Sequence, residues 1–443
     1  MKFTTDYKLE DFILGIKYNN LPEAVKDRLT ACLIDLVGAM AVGSLSEQFR
    51  VGVRMAKRTF GGGDVAAIGT AERFSFIGAA TAMGHSSNAY DIDDGHNLTR
   101  AHPGTSFIGG LLAAAYERDI TLGELYEAML AAYEVTIRSG AAIMEYYDFA
   151  HSSGTFGAVG VAAGVARIYG FGREELNNVL SIAEFNAPLV PGIRSVEYPS
   201  MNKDGVPFGV MIGALAVLDA MSGFEGNKNL LESDEHRHFL DSLGESYEIM
   251  NLYFKPYPCC RWAHPAIDAV LLAMREGGVE YTEIERVVIK TFRRATMLSK
   301  IEPVTADDAQ YNIAYPVATA IVNGDFTIEH ILGDSFTDGR VLGMMKKLSF
   351  EVDEELDAAF PARRICRAEV YTADGRCFTS PNCEPRGEAV EQVGIEWLEA
   401  KVRRITAPVL NSEGQNAVLA LIKSAPDLPV RALVDGINEA LGV

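Results

Sequence analysis

The stretch LYEAMLAAYEVTIRSGAAIM, residues 125–144, carries the pattern that decides the fold class. Its apolar residues recur at every third or fourth position, which is the spacing of a buried helix face. Alanine and glycine are dense in it, and such small side chains let neighbouring helices approach closely. Further stretches with this pattern are also predicted to be helices: 29–43, 106–119, 157–170 and 209–221. The sequence from Leu21 to about Ala220 therefore predicts a tightly packed helical domain. Several faces are apolar nearly all round, which indicates central helices or a subunit interface.

The pattern changes after about Ala266. The stretches IERVVIKTF (284–292) and RRICRAEVYT (363–372) alternate apolar and polar residues, and Asp374-Gly375 follows the second as a hairpin signal. From Glu391 onward the helical spacing returns. We expect a mainly α fold, in which a large all-helical domain is built from the N- and C-terminal segments and a smaller α+β domain is inserted between them. The predicted boundaries are 1–265, 266–390 and 391–443.

Composition narrows the possible partners. The chain has 443 residues, of which 48% are hydrophobic and 23% charged, as in a folded globular protein. A formal charge of −20 repels phosphate backbones and anionic lipid, so neither nucleic acid nor a membrane is an expected partner. The N-terminus lacks a secretory signal pattern, and no apolar run approaches the ~18 residues that span a bilayer. A cytoplasmic protein is expected, and any anionic substrate needs a local cluster of cations.

The first chemical motif is HSSNAYDIDDGH, residues 85–96, followed by RAHPG at 100–104. Carboxylates this close together repel one another, and burial raises their pKa into the range of general acid/base work. An exposed capping loop is the alternative. A calcium EF-hand starting at Asp91 would need Glu at its twelfth position, which here is His102. A divalent ion held by Asp and His together stays open.

Two further motifs open apolar helices. In YYDFAHSSGTFG (146–157), the Ser and Thr side chains can cap backbone N–H groups, and the helix start favours anions such as carboxylates. Capping alone does not call for His151 beside two tyrosines. In YPSMNKDGVPFG (198–209), Lys203 either points into a carboxylate pocket or extends to solvent.

The fourth motif, YFKPYPCCRWAHP (253–265), lies where the helical pattern gives way to the α+β pattern. Its prolines fix an extended path, and Lys255, Arg261 and His264 place cations at a predicted domain junction, where ligands often bind. A rigid hinge with exposed charges is the alternative. The six cysteines lack zinc or iron–sulfur spacing, so reduced, packed thiols are expected.

These four motifs, in this order, resemble the MmgE/PrpD family, whose members include 2-methylcitrate dehydratase, cis-aconitate decarboxylase and iminodisuccinate epimerase. The likeness covers nearly the whole chain, from LIDLVGAMAVG (33–43) to YNIAYPVATAIVNGDF (311–326). It implies a homodimer, an α+β lid over the helical domain, and an active site between the two. The resemblance and the hypothesis built on it assign these catalytic residues: Asp91, His102, His151, Lys203 and Lys255. The assigned substrate-binding residues are Arg261, His264, Tyr147, Ser153 and Cys260.

The expected reaction follows from the resemblance. Moving a proton at a carbon beside a carboxylate creates negative charge, which fixed cations stabilise by ~3–4 kcal/mol per well-placed donor. We expect a lyase acting on a small di- or tricarboxylate without metal or organic cofactor, with His102 or His151 exchanging the proton and Asp91 orienting a histidine. An epimerase is the alternative, and a cis-aconitate-type decarboxylase is the second. Gly95 and Cys260 stand where the resembling decarboxylases carry Thr and His, which argues against decarboxylation.

Overall fold

The computed structural model describes residues 1–147, 149, 152–333 and 335–443. His151, one of the residues assigned to proton exchange, lies outside the described residues. The fold is mainly α, as predicted. The helices of the first part are α1 Lys8–Gly15, α2 Glu23–Gly43, α3 Glu47–Phe60, α4 Phe76–Ser87, α5 Thr105–Arg118, α6 Leu122–Tyr146, α7 Ser153–Ile168, α8 Arg173–Asn186, α9 Ile193–Glu197 and α10 Val206–Met221.

The second part mixes helices and strands. Its helices are α11 His264–Gly277, α12 Ala306–Gln310, α13 Ala314–Asn323, α14 Gly339–Met345, α15 Glu354–Ala359, α16 Ile395–Thr406, α17 Ser412–Ile422 and α18 Val430–Leu441. The strands of the whole chain are β1 Val65–Ala67, β2 Thr70–Phe74, β3 Asp94–His96, β4 Leu252–Phe254, β5 Ile284–Thr291, β6 Leu348–Val352, β7 Cys366–Thr372 and β8 Cys377–Thr379.

The predicted long helices form because their sequences satisfy local rules. Helix α6, the stretch quoted first, begins with a capping box: the Thr121 side chain accepts from the Glu124 N–H, and the Glu124 carboxylate accepts from the Thr121 N–H at 2.8 Å. Helices α7 and α10 cross at glycines, and a Cβ at Gly209 would overlap the backbone of Gly154. Small residues therefore set the close helix packing that the composition indicated.

The sheet of the second part has the strand order β6-β5-β7-β8. Strands β5 and β7 pair antiparallel, as do β7 and β8, and the predicted turn at Asp374-Gly375 joins the last two. Gly375 has a φ of 88°, a conformation that glycine adopts without strain. Strand β6 pairs parallel to β5 and was not predicted, because its alternating sequence is short and lies between two helices.

Buried side chains form two hydrophobic clusters. One comprises most of α2 and α4–α8, with parts of α10 and α16–α18; the other comprises α11, α13 and the sheet. The C-terminal helix α16 lies against α2, and α18 lies against α5. Residues from α2 and α16 belong to both clusters, so these two helices join them. The domain boundaries at 265/266 and 390/391 stay a prediction.

The described helices were also compared with the length of a membrane span. No single helix within these residues is both long and apolar enough to cross a bilayer. Helices α2 and α3 reach that length and composition only when taken together, and the chain bends by 86° between them.

Candidate active site

Two of the sequence motifs meet through a short pair of strands. Strand β3, which follows the acidic loop, pairs antiparallel with β4, which precedes the lysine-proline motif. This pairing places Lys255 directly beside Asp91, 164 residues away in the chain. The Lys255 Nζ donates to Asp91 Oδ1 at 2.5 Å and to the Asp91 carbonyl at 3.3 Å. The β3–β4 register therefore brings a cation to the predicted acidic cluster.

His102 lies at the centre of this cluster. Its Nδ1 is 2.9 Å from Asp93 Oδ2, and its backbone N–H donates to Ser153 Oγ at 3.0 Å. Its Nε2 lies 3.4 Å from Asp91 Oδ1 and 3.7 Å from Asp204 Oδ2. One ring nitrogen is thus fixed by a buried carboxylate while the other faces two more. A carboxylate on Nδ1 fixes the tautomer and orientation of an imidazole, which leaves Nε2 free for proton transfer.

The protonation states follow from burial and charge. Burial and the Lys255 ammonium act to lower the pKa of His102, but Asp93 and Asp91 outweigh them and raise it to about 9. Burial acts to raise the pKa of Asp93, but His102 and Lys255 hold it below its ordinary value. For Lys255, burial is opposed by Asp91 and Asp93, which hold its pKa above the ordinary value. His102 is therefore an imidazolium at neutral pH, between carboxylates.

Asp204 is the second acid/base group that faces His102. Burial raises the pKa of Asp204 above its ordinary value, although the neighbouring His102 opposes this shift. The Tyr311 hydroxyl donates to Asp204 Oδ2 at 3.1 Å. A carboxylate with a raised pKa is a stronger base than an ordinary one, so Asp204 is suited to accept a proton. We call Asp91, Asp93, His102, Asp204 and Lys255 together the cavity floor.

The floor opens into a cavity of about 530 Å³. Asp91, His102, Asp204 and Lys255 all line it. Its apolar side is formed by side chains that include Ile193, Val196, Trp262 and Phe360. This combination of an apolar lining and a few converging polar groups is typical of a small-molecule site.

Three arginines also line the cavity, Arg100, Arg294 and Arg364, which we call the arginine wall. Arg364 is 4% exposed, and its Nη1 donates to Asn97 Oδ1 at 2.7 Å. Its Nε is buried and has no hydrogen-bond partner among the described residues. Burial and the guanidinium groups of Arg364 and Arg294 lower the pKa of Arg100.

Across residues 1–147, 149, 152–333 and 335–443, the arginine wall makes no ion pair with a carboxylate. Grouped cations without acidic partners repel one another, and a bound anion relieves that repulsion. A guanidinium fork matches a carboxylate in two parallel hydrogen bonds. The wall can therefore take the carboxylates of a small polyanion.

Arg261 also lines the cavity, but its donors are partly used. Its Nη2 donates to Glu388 Oε1 at 2.9 Å, and its guanidinium lies 4.6 Å from the centre of the Tyr253 ring. His264 lies behind it: its Nδ1 is 3.3 Å from Arg261 Nη1, and its Nε2 is 3.0 Å from the Cys259 carbonyl oxygen. Burial, then Arg261, lowers the pKa of His264 well below its ordinary value. His264 is thus a neutral side chain that orients Arg261, and it does not line the cavity.

Lys203 lies beneath the acidic loop and does not line the cavity. Its ammonium donates to Gln310 Oε1 at 2.6 Å, to the Asn88 carbonyl at 3.2 Å, and to the Ala89 carbonyl. These three acceptors match the three protons of an ammonium group. Burial lowers its pKa, opposed by Asp307. The geometry gives Lys203 a role in holding the loop, whereas the sequence assigned it to a substrate carboxylate.

The other three residues assigned to substrate binding, Ser153, Cys260 and Tyr147, differ in their relation to the cavity. Ser153 holds the His102 backbone, as given above. Cys260 lines the cavity, and burial raises the pKa of its thiol to about 12, so it stays protonated. Tyr147 is half-buried against Tyr146, with ring centres 4.8 Å apart, and does not line the cavity.

Part of this cluster has the residue types and spacing of a metal site. Asp91, His102 and Asp204 offer ligand atoms within 4.8 Å of one another. The Lys255 ammonium already contacts two of the three, at 2.5 Å from Asp91 Oδ1 and 3.5 Å from His102 Nε2. An ammonium thus supplies positive charge at the position where a cation would bind. This donor set fits an ion-paired acid/base centre better than a metal site.

Sequence reasoning missed the arginine wall and the role of Asp204. Asp93 and Asp204 stood inside quoted motifs, but nothing in their spacing told which of several acids would face His102. Arg294 and Arg364 each belong to an Arg-Arg pair beside a strand, outside any motif. The sequence signal available for these two residues was an Arg-Arg pair at the end of a strand. Most such pairs are simply charged residues on the protein surface, so the signal did not point to a binding site.

Asp94 shows the limit of an argument from charge alone. Burial and the Asp93 carboxylate raise its pKa to about 7, as the acidic cluster predicted. Its side chain, however, accepts from the Tyr133 hydroxyl at 2.5 Å and from the Gly104 N–H at 2.9 Å. Asp94 does not line the cavity. It fixes the segment that leads to His102.

Comparisons with known proteins give matches over most of this chain. The sequence model of the MmgE/PrpD N-terminal domain matches residues 7–249, and that of the MmgE/PrpD C-terminal domain matches residues 257–425. A human protein, cis-aconitate decarboxylase, is 21% identical over an alignment of 453 positions, gaps included. The alignment covers 94% of this chain and 90% of the relative. The N-terminal match alone covers more than half of the chain, and the cavity lies between the segments that the two models match. This chain belongs to the MmgE/PrpD family.

Proposed function

We propose that this protein is a lyase that acts on a small di- or tricarboxylic acid by proton transfer at a carbon beside a carboxylate, as in 2-methylcitrate dehydratase. Membership of the family supports an enzyme of the lyase kind. The observation that carries the finer proposal is the cavity itself, which acid/base groups of the floor and the arginines of the wall line together. The residues named supply acid, base and charge stabilisation, so the proposal requires no metal or organic cofactor.

In the proposed reaction, the arginine wall holds the carboxylates of the substrate above the floor. The Asp204 carboxylate accepts the proton from the carbon beside a carboxylate, and Lys255 stabilises the negative charge that develops. The C–H electron pair forms the alkene, the C–O bond breaks, and the hydroxyl leaves as water with the proton from His102 Nε2. His102 Nε2 and Asp204 Oδ2 are 3.7 Å apart, so the proton returns to the histidine through one water or after a small approach of the two side chains.

Decarboxylation is a second candidate, because the human relative carries that name. Loss of CO₂ also creates negative charge beside a carboxylate, so the same cations would serve. Two differences between this chain and the resembling decarboxylases argue against decarboxylation. A side chain at Gly95 would overlap the ring of Tyr253, so a threonine does not fit there. Cys260 lines the cavity where the resemblance implies a histidine, and its protonated thiol is a weaker acid/base group.

The partner proposed for this chain, besides the substrate, is a second copy of itself. Helices α8 and α10 pack against each other and carry large exposed apolar side chains. They and the segment that follows α10 include Phe185, Phe208, Met221 and Phe224, which are 72%, 46%, 55% and 54% exposed. Exposed apolar side chains of this size, where they adjoin, are typical of an interface between subunits. A homodimer would bury them.

One experiment separates the candidate reactions. Purified protein is incubated with 2-methylcitrate, cis-aconitate or iminodisuccinate, with and without a chelator, while alkene absorbance, CO₂ and optical rotation are followed together. The lyase proposal expects alkene from a hydroxy acid without CO₂, unaffected by the chelator. Release of CO₂ would establish the decarboxylase instead, and a change of rotation alone would establish an epimerase. Loss of turnover with the chelator would contradict the cofactor-independent mechanism.

A further inference from the structure

The backbone of the acidic loop is held by three buried lysines. Lys203 and Lys255, described above, donate to carbonyl groups within residues 88–91. The third is Lys401 of α16, whose Nζ donates to the Ile92 carbonyl at 2.5 Å. Lys203 and Lys255 belong to motifs of the first part of the chain, whereas Lys401 comes from its C-terminal part. Carbonyl groups of this loop are thus fixed from three separate segments.

The loop requires such support because its conformation is strained. Asp91 has a φ of 52°, in the left-handed region that non-glycine residues rarely adopt. Strain of this kind persists only where the surrounding structure holds it, and it is common at active sites. Ile92 lies between Asp91, which pairs with Lys255, and Asp93, which pairs with His102. A shift of the Ile92 peptide would therefore move both carboxylates.

Lys401 is paired with a buried carboxylate. Its Nζ forms an ion pair with Asp35 Oδ1 of α2, and the two residues are 4% and 0% exposed. Asp35 Oδ2 has no hydrogen-bond partner in the part of the chain that the structure describes. A buried ion pair with an unsatisfied oxygen is a poor source of stability, since desolvation of both charges offsets their attraction. Fold stability alone does not account for this pair.

We propose that Lys401, paired with Asp35, is a positioning residue of the active site: its hydrogen bond to the Ile92 carbonyl sets the places of Asp91 and Asp93 around His102. The inference rests on the proposed function for its activity measurement. Lys401 does not touch the substrate, because it is not among the residues that line the cavity. It acts through the backbone of the loop.

Two double variants separate positioning from stability. In Asp35→Leu with Lys401→Met, the charges are replaced by apolar side chains of similar size, a change that is often neutral to stability, but the donor to Ile92 is lost. In Asp35→Asn with Lys401→Gln, the charges are also removed, but the Gln amide can still donate to the carbonyl. A matched surface control is Lys423→Met, since Lys423 pairs with Glu399 at 44% exposure.

Activity is the first readout. We expect the variant without a donor to lose at least ~10-fold in kcat with KM changed less than ~3-fold, because small displacements of catalytic groups reduce the rate strongly. The Gln variant should keep kcat within ~3-fold of the starting protein. Thermal melting monitors folding in parallel. Equal kcat values for two folded double variants would overturn the proposal, as would a loss in both that follows their melting temperatures.

The titration of His102 provides a readout that needs no substrate. Its NMR signals are assigned by comparison with His102→Asn, and its pKa is measured in each folded variant. The pKa should fall toward 6.5 in the variant without a donor and stay near 9 in the Gln variant, since Asp93 and Asp91 cause the upward shift. An unchanged pKa in both contradicts the positioning role. Absence of turnover in the starting protein contradicts the proposed function and leaves this test valid.

Discussion

The floor and the arginine wall of the cavity differ in how their charges are balanced. In the floor, His102 and Lys255 each contact carboxylates within 3.5 Å. In the wall, no arginine makes an ion pair within the described residues, and the Nε of Arg364 is buried without a partner. A paired group is held in place before the substrate arrives, whereas an unpaired cation is available to an anion. This difference suits the roles that the proposed function gives them, chemistry for the floor and binding for the wall.

The largest effect on activity is expected from a substitution in the cavity floor. His102→Asn should lower kcat by ~10²–10⁴-fold, because an amide cannot exchange the proton and general acid/base catalysis is worth that much. KM should change little, since the wall is intact. Steady-state kinetics with the substrate that the turnover experiment identifies provides the measurement. His238→Asn is the matched control, because His238 is about half exposed and lies outside the cavity. Equal kcat values for the two variants would remove His102 from the mechanism.

The next largest effect on activity is expected from a substitution in the arginine wall. Arg364→Met should raise KM by ~10–100-fold while kcat changes less, because a hydrogen bond to a charged group contributes ~1.5–3 kcal/mol. Calorimetric titration with a tricarboxylate tests the binding directly. Arg340→Met serves as control, since Arg340 is 56% exposed and pairs with Asp338. A loss of kcat with unchanged affinity would place Arg364 among the groups that do the chemistry.

The floor should also make stability depend on pH. The folded pKa of His102 is about 9 against an ordinary value of 6.5, so the folded state binds its proton more tightly than the unfolded state. Its contribution is fully present below pH 6.5 and is lost as pH rises to about 9. The shift sets a ceiling of ~3 kcal/mol. Urea unfolding at pH 6 and pH 10 should show a smaller difference for His102→Asn than for His238→Asn. An equal difference would contradict the raised pKa.

The smallest effect on kcat is expected from a substitution in the proposed dimer interface. Phe208→Glu on α10 should convert the proposed dimer to monomer while kcat changes less than ~3-fold, because a carboxylate within an apolar interface is costly to bury. Sedimentation velocity measures the mass, and Phe3→Glu, at a similar exposure of 42%, is the control. A monomeric starting protein would contradict the dimer proposal. A large loss of kcat would indicate that the second copy contributes to the floor or the wall.

The sequence predicted the helices well and the site in part. The quoted stretches fall within α2, α5, α6, α7 and α10, apart from one or two residues at helix ends, because their 3.6-residue spacing is a local property. Of the assigned residues, Asp91, His102, Lys255, Arg261 and Cys260 line the cavity, whereas Lys203 and His264 support it from behind. Residue types and motif order carried the resemblance to the MmgE/PrpD family, which implied the segments that converge. They did not identify which side of a converging segment faces the cavity.

What the sequence determined by itself is the mainly helical class and the strands that flank the hairpin; the convergence of an acidic loop with a lysine motif was implied by the resemblance to the MmgE/PrpD family. These depend on spacing within one segment or on the order of motifs. The tertiary structure alone decided that Arg294 and Arg364 of the second part line the same cavity as His102, and that Lys401 reaches the carbonyl of Ile92. The physical reason is that such contacts join residues far apart in the chain. Their geometry is set by how helices and sheet pack, which local spacing does not encode.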